Sequence, residues 1–270
     1  MIGREIGFGF ATARDFVARG LIRLHVTPNA LTLTGMLLTV AAGVCYALGA
    51  DTDRLAWRLG VRPGEPGPFL LLGASLLVLS SACDMLDGAV ARLGGTGTRF
   101  GAFLDSTLDR FSDFAVYAGI ALCYARREPS NLTFVLLSMV AFFNALMISY
   151  TRARAEDLIE FCTVGYWQRG ERSAAVLIAS FAHNVPALLV QQALLPMLTV
   201  FRRIAYTRAV LAGRTPPLDP RTGPWHVKLR LWRWPRMTVA YDLVTGLNIA
   251  WLLFAPVGDI DPLRRLAEAF

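Results

Sequence analysis

The 270-residue sequence predicts an all-α integral membrane bundle of six transmembrane helices, preceded by an amphipathic interfacial helix and followed by a further hydrophobic segment. Three observations lead there. Hydrophobic residues make up 54% of the chain and charged residues 17%, against about 25% charged in a soluble domain. The apolar residues gather in runs close to the roughly 20 residues that cross a hydrocarbon core. Short Gly-, Pro- and Arg-containing breaks separate those runs. A disordered chain, a coiled coil and an ordinary cytosolic enzyme are excluded by the same figures.

Residues 1–26 mix Ile6, Phe8, Phe10, Phe16, Leu21 and Ile22 with arginines, the pattern of a helix lying in the membrane surface. Arg4, Glu5, Arg14 and Asp15 leave no apolar core for a cleavable signal peptide, so the first span is expected to serve as its own insertion signal. Thr27-Pro28-Asn29 breaks the chain, and proline suits a helix start because its missing N–H would have no partner there. The first span follows over 30–50, with Gly35 and Gly43 permitting close helix packing. A polar loop covers 51–67. The second span starts at Pro68, stays apolar through Cys83, then turns polar at Asp84, Asp87 and Arg92. Gly94-Gly95-Thr96-Gly97 makes a tight connection. The third span opens polar, with Asp105, Asp109, Arg110 and Asp113, and becomes apolar over 114–124. The fourth covers 132–150, and 152–172 reads as a polar connector. Residues 173–201, interrupted by His183-Asn184-Val185-Pro186, read as two short helices, with one broken helix as the alternative. The stretch 239–256 is either a seventh span or an interfacial segment. The chain thus divides into a transmembrane domain, 1–203, and a basic cytoplasmic segment with a C-terminal apolar stretch, 204–270.

The formal net charge is +7. Eight arginines and Lys228 lie between Phe201 and Ala240 against a single acid, Asp219. Placed beside an apolar segment, and carrying Trp225, Trp232 and Trp234, this stretch reads as a membrane-surface segment rather than a nucleic-acid-binding one. Arginines at the N-terminus, at 92–99, over 152–172 and over 202–238 all fall on one side of a six-crossing topology, which the positive-inside rule makes cytoplasmic. Cys45, Cys83, Cys123 and Cys162 form no CxxC pair, so neither a disulfide framework nor a zinc site is expected.

The chemistry lies in four aspartates. Asp84 and Asp87 are three apart on one helix, and Asp105 and Asp109 four apart on the next, so each pair shares a face. If the two helices form an antiparallel hairpin, Asp87 faces Asp105 and Asp84 faces Asp109. An aspartate in a membrane costs about 2.5–3.5 kcal/mol on insertion scales, so four impose a burden of about 10 kcal/mol that calls for cations. Hard oxygen donors without histidine suit Mg²⁺, Mn²⁺ or Ca²⁺ rather than zinc. Four carboxylates can bridge two divalent ions, the arrangement that clamps phosphoryl oxygens during an in-line displacement. Gly88 removes a side chain where a phosphate would approach. Intramembrane carboxylates also mark ion pathways, so a divalent-cation transporter is the rival class. A transporter predicts acids spread through the membrane depth rather than gathered on one hairpin.

The run Asp84-x2-Asp87-Gly88-x2-Ala91-Arg92-x8-Gly101-x3-Asp105-x3-Asp109 resembles the signature of the CDP-alcohol phosphotransferases at every defining position. The resemblance covers about residues 25–205. It implies six transmembrane helices in a homodimer, a site open to the cytoplasm that holds two divalent ions (Mg²⁺ or Mn²⁺), and displacement of CMP from a CDP-linked substrate by an alcohol. By that resemblance Asp84, Asp87 and Asp105 are metal ligands, and Asp109 is the base for the acceptor hydroxyl and touches metal. Pro28, Asn29, Thr32, Gly88, Arg92, Thr98 and Gly101 match nucleotide-contacting positions. Asp84-Met-Leu-Asp87-Gly88-Ala, Ser149-Tyr150-x-x-Ala153-Arg154-Ala155-Glu156 and Arg169-Gly-Glu171-Arg172 look most like bacterial phosphatidylinositol phosphate synthases. In those enzymes basic residues hold the phosphate of inositol phosphate. Here Arg172 and Arg202 match such positions, while Arg152 stands where lysine is usual. The expected donor is CDP-diacylglycerol, and the favoured acceptor is inositol 1-phosphate, with glycerol 3-phosphate the first alternative. The expected location is the inner membrane.

Overall fold

The computed structural model describes residues 2–50, 68–127, 129–214, 224–232, 234–258 and 260–267, and these residues are helical with no strand among them. The polar loop expected over 51–67 lies outside the described residues. Helix α1 (Ile2–Arg23) packs against α3 (Pro68–Leu93). Helix α2 (Pro28–Gly49) starts with Pro28 at its first position and Thr27 as its cap, the Thr27 hydroxyl accepting from the Ala30 N–H at 3.3 Å. Helix α4 (Arg99–Ala125) is capped the same way by Thr98, which accepts from the Gly101 N–H at 2.9 Å. Such caps satisfy amide groups that the first helical turn leaves without partners.

Helix α2 is the hub: α3 and α4 both pack against it rather than along one another. The expected antiparallel hairpin of the two aspartate helices is therefore opened, with α2 holding both. Small residues bring the backbones together. A Cβ added at Gly119 of α4 would fall 2.8 Å from the Gly43 carbonyl carbon and 3.0 Å from Gly43 Cα on α2. The α2–α3 contact is polar as well as close. Thr39 and Ser80 share a 2.7 Å hydrogen bond, and the Ser80 hydroxyl donates to the Gly35 carbonyl at 2.8 Å.

Helix α5 (Leu132–Glu156) is longer than the sequence suggested. Its last turn continues through the expected connector, held by ion pairs Arg152–Glu156 at 2.9 Å and Arg154–Asp157 at 3.2 Å. The connector shrinks to 157–168, because helix α6 starts at Arg169 and runs to Phe181. The break expected over 183–186 falls at 182–184, with Val185 and Pro186 opening helix α7 (Val185–Leu194), and a second break, at Leu195 and Pro196, precedes helix α8 (Met197–Leu211). Proline has no N–H for the carbonyl four residues back. The buried Asn144 amide of α5 fills that gap, donating to the carbonyls of Gln192 at 3.0 Å and Ala193 at 2.7 Å.

Length and composition mark four helical stretches as able to cross a membrane: α2, α3, α5 and the broken α7–α8 unit. Helix α4, with 27 residues, is long enough but carries its charges in the first half. Helix α6 has 13 residues, a rise of about 20 Å against a core of about 30 Å. A count of six therefore depends on α4 and α6 as crossings that neither meets by composition and length together. The outward faces of α2, α3 and α5 expose Leu37, Val44, Leu79, Met139 and Phe143, as hydrocarbon-facing surfaces do.

Beyond α8 lie α9 (Trp225–Leu231), α10 (Val239–Phe254) and α11 (Pro262–Ala267). Helix α10, at 16 residues, is short for a span and packs on α6 and α7. The Asn184 amide donates to the Leu252 and Ala255 carbonyls at its C-terminal end, at 2.9 and 3.2 Å. Trp232, expected among interfacial aromatics, is buried with its ring 5.4 Å from that of Tyr166.

Candidate metal centre and active site

Carboxylate oxygens of Asp84, Asp105 and Asp109 all lie within 4.8 Å of one another. Asp84 comes from the polar end of α3, and the other two come from adjacent turns of α4. The expected approach of Asp84 to Asp109 is present, but Asp105 joins that pair to make a cluster of three, while Asp87 bonds to α2. Asp87 is buried and accepts a 2.7 Å hydrogen bond from the Thr32 hydroxyl of α2. The helix that separates α3 from α4 thus also supplies the partner for the fourth carboxylate.

The donor set can be tested against a metal. Asp105 Oδ1 is buried and accepts no hydrogen bond, a cost of about 1–3 kcal/mol unless something else satisfies it. The three carboxylates are close enough to share a cation at the 2.0–2.6 Å distances typical of Mg²⁺ and Ca²⁺ oxygen ligands. No sulfur or imidazole joins this group, and the four cysteines are free thiols. Hard divalent cations fit this site, as the sequence indicated.

Of the residues matched to nucleotide contacts, Pro28, Asn29, Thr32, Thr98 and Gly101 lie at the starts of α2 and α4, and Gly88 and Arg92 lie near the end of α3. Pro28 and Thr32 are linked by a 3.1 Å bond from the Thr32 hydroxyl to the Pro28 carbonyl. A Cβ placed at Gly101 would meet Thr98 Oγ1 at 3.1 Å and Asn29 Oδ1 at 3.2 Å, which brings Asn29, Thr98 and Gly101 together. A Cβ at Gly88 would lie 3.3 Å from the Arg92 guanidinium.

Of the three arginines expected to hold an acceptor phosphate, Arg172 reaches the site. It is buried, and its guanidinium lies 3.4 Å from Asp113, which also lies 3.8 Å from Arg110. Arg152 pairs with Glu156 on its own helix, and Arg202 lies over the Trp232 ring at 5.9 Å. Sequence reasoning missed Arg169, one turn before Arg172, which forms an ion pair with Asp109. Their spacing of three on α6 puts both on one face, and that periodicity was the available signal. Below these groups a cavity of about 350 Å³ extends between α2, α3, α4 and α6. Asp84, Asp113, Arg169 and Arg172 line its polar part, and Leu77, Val116 and Leu177 its apolar part.

Residues 25–204 match the family described as CDP-alcohol phosphatidyltransferase. The chain belongs to this family. Among similar relatives, an archaetidylinositol phosphate synthase of Methanothermobacter thermautotrophicus is 36% identical over 199 residues, covering 72% of this chain and 89% of the relative. A phosphatidylinositol phosphate synthase of Cutibacterium acnes is 35% identical over 173 residues, covering 63% and 73%. The crystal structure of Mycobacterium tuberculosis phosphatidylinositol phosphate synthase with CDP-DAG bound aligns with a TM-score of 0.59 at 31% identity, over 72% of this chain and 92% of that one. The same enzyme in complex with manganese and citrate aligns at 0.58 and 30%, over 76% and 93%. As a CDP-alcohol phosphatidyltransferase the protein is a multi-pass membrane enzyme of phospholipid synthesis, and Asp84, Asp105 and Asp109 form a group that could hold a divalent metal.

Proposed function

We propose that the protein transfers a phosphatidyl group from CDP-diacylglycerol to inositol 1-phosphate and releases CMP. The observation that carries this reading is the pairing of a three-carboxylate cluster with two arginines, Arg169 and Arg172, at one cavity. Carboxylates suit a metal-bound pyrophosphate donor, and convergent guanidiniums suit an acceptor that itself carries a phosphate. A neutral acceptor such as serine would need no such pair. The similarity to inositol phosphate-using relatives points the same way.

Asp84, Asp87, Asp105 and Asp109 would hold two divalent cations, Mg²⁺ or Mn²⁺. When bound, the ions neutralise charge on the pyrophosphate and stabilise the departing CMP. The residues at the starts of α2 and α4, together with Gly88 and Arg92, receive the cytidine diphosphate part. Arg172 binds the acceptor phosphate, with Arg152 and Arg202 drawing the anion in. Asp109 takes the proton of the attacking hydroxyl as the new oxygen–phosphorus bond forms and the bond to CMP breaks. Arg169 is placed to release Asp109 for that step by turning to an incoming phosphate. The enzyme works as a homodimer in the inner membrane with this site facing the cytoplasm, where charged substrates are dissolved.

CMP release by the purified protein tests the reading. CDP-diacylglycerol and Mg²⁺ or Mn²⁺ are supplied with inositol 1-phosphate, glycerol 3-phosphate, inositol or serine in separate reactions, with Asp109→Asn as the control. Release with inositol 1-phosphate, abolished in the control, is expected. Release with glycerol 3-phosphate alone would replace the acceptor. No release with any of them, together with Mn²⁺ flux into proteoliposomes, would favour a transporter.

A further inference from the structure

The segment beyond residue 204, where the family match ends, reaches back to the helix that carries the site arginines. Glu171 lies between Arg169 and Arg172 in sequence, but off the face those two share. Its side chain is 6% exposed, and Oε1 accepts three hydrogen bonds from this segment. Two come from Arg236, through Nε at 3.0 Å and Nη2 at 2.7 Å, and one from the Tyr241 hydroxyl at 2.7 Å. Helix α6 has no side-chain cap of its own, so these contacts hold its first turn from outside.

The segment is itself anchored. The Gly165 N–H donates to the Leu231 carbonyl at 3.1 Å, and the Tyr166 hydroxyl donates to Thr245 at 3.1 Å. The Tyr166 ring packs on Trp167, Trp232 and Tyr241 at 5.1, 5.4 and 5.6 Å. Farther along α10, the Gln191 amide donates to Asn248 at 2.9 Å and the Trp251 indole donates to the Ala187 carbonyl at 2.9 Å. Helix α10 is thus fixed to α7 at one end and presents Tyr241 to α6 at the other.

We propose that Arg236 and Tyr241 are positioning residues that hold the Glu171 carboxylate away from Arg169 and Arg172. Glu171 Oε2 is buried and has no partner. Deprived of Arg236 and Tyr241, the whole carboxylate would need new donors; the uncapped first turn of α6 would loosen, and the two arginines of the site, which face away from Glu171 on the intact helix, would come within its reach. Captured by Glu171, they would leave Asp109 and Asp113 and lose their grip on an acceptor phosphate. The C-terminal segment is then an addition to the family architecture that keeps the acceptor side open. The acceptor part of this inference rests on the proposed function. The holding of α6 does not.

The experiment uses the full chain with Arg236→Gln, Arg236→Lys and Tyr241→Phe, the two neutral changes each also combined with Glu171→Gln. Arg236→Gln is expected to raise the acceptor KM about tenfold, in the range seen when an outer-layer hydrogen bond is lost, with the KM for CDP-diacylglycerol unchanged. Arg236→Lys restores much of the loss because it keeps the charge. In the Glu171→Gln background the neutral changes have little further effect, since no carboxylate remains to capture the arginines. Hydrogen exchange at the amides of 172–176 is measured in parallel and is expected to speed up in Arg236→Gln and Tyr241→Phe, with α7 unaffected. An unchanged acceptor KM with unchanged exchange overturns the proposal, and so does a KM effect that persists undiminished in Glu171→Gln. If the wild-type protein turns over no acceptor, the proposed function falls, and the exchange rates alone decide whether the segment holds α6.

Discussion

The close backbone approach of α4 to α2 at Gly119 and Gly43 gives a prediction that ties packing to chemistry. In Gly119→Ala the new methyl group would lie 2.8 Å from the Gly43 carbonyl carbon and 3.0 Å from its Cα. The Gly43 carbonyl oxygen lies nearer still, and ordinary carbon–carbon contacts are about 3.5–4.0 Å, so α4 must move away from α2 by more than about 0.7 Å. All three contacting atoms are backbone, with no flexible side chain that could step aside. Overpacking of this kind costs about 1–3 kcal/mol. Helix α4 also carries Asp105 and Asp109, about 21 and 15 Å from Gly119 along its axis, whereas Asp84 is on α3, which Thr39 and Ser80 tie to α2. Moving α4 therefore changes the spacing of the carboxylate cluster, and metal sites accept deviations of about 0.2 Å. CMP release at saturating Mn²⁺ should fall about 10–100-fold, and thermal unfolding in detergent should come several degrees lower. Gly246→Ala on α10, where nothing lies within 4 Å, is the matched control and should gain slightly in stability from helix propensity. Stability and rate both equal to wild type would refute the close approach. Lost stability with a full rate per folded molecule would refute its coupling to the site.

Asp105→Asn should reduce Mn²⁺ affinity at least tenfold by calorimetry and CMP release by more, because its buried Oδ1 has no other partner. Thr32→Val removes the hydrogen bond to Asp87 and leaves that buried carboxylate short of a donor, so stability measured without metal should drop by about 1–3 kcal/mol, with added Mn²⁺ recovering part of it. Asn144→Leu orphans the carbonyls of Gln192 and Ala193 at the Pro196 break and should cost about as much, read by thermal unfolding. Burial alone would raise the Asp261 carboxyl, but hydrogen bonds from the Thr133 hydroxyl and from the amides of Arg264, Thr133 and Leu132 hold it below the usual carboxylate range. Its contribution is therefore present above the unfolded value of about 3.9 and is lost as pH falls through the lower folded value. The stability gap between wild type and Asp261→Ala should be small, because the group is exposed to solvent screening. That gap should close on acidification, and one that widened would refute the assignment.

Local signals placed the start of the site correctly. Thr27-Pro28 announces a helix start, and Thr27 caps α2 in the structure; Thr98, read only as a nucleotide contact, caps α4. The aspartate spacing placed Asp84, Asp105 and Asp109 together. What escaped was relative placement. Sequence order made α3 and α4 neighbours, but the Gly43–Gly119 contact lets α2 take that position, and no periodicity within a single helix reveals which backbones touch. The α5 extension escaped because the charged residues 152–156 look like a loop beside a membrane, while their spacing of four supports a helix in water. The break at Pro196 was visible as a proline. Its tolerance depends on Asn144, 52 positions earlier in the chain. Arg169 and Glu171 escaped for a related reason: their partners, Asp109, Arg236 and Tyr241, are remote in sequence.

The charges around the cavity explain why the polar halves of α3 and α4 tolerate their position and why a metal belongs there. Asp84, Asp87, Asp105, Asp109 and Asp113 carry five formal negative charges, and Arg110, Arg169 and Arg172 carry three positive ones. The arginines come from α4 and α6: Arg110 of α4 leaves four negative charges on α3 and α4, and folding α6 against the bundle offsets half of them. The remaining two negative charges equal one divalent cation. A second cation would turn the site positive by the same amount, which suits the binding of an anionic pyrophosphate but not a site left empty of substrate. The second ion is then expected to bind far more weakly than the first until the CDP-linked donor arrives. Two-step Mn²⁺ binding, with the weaker step strengthened by CDP, would follow from this balance. Two equal steps without nucleotide would contradict it.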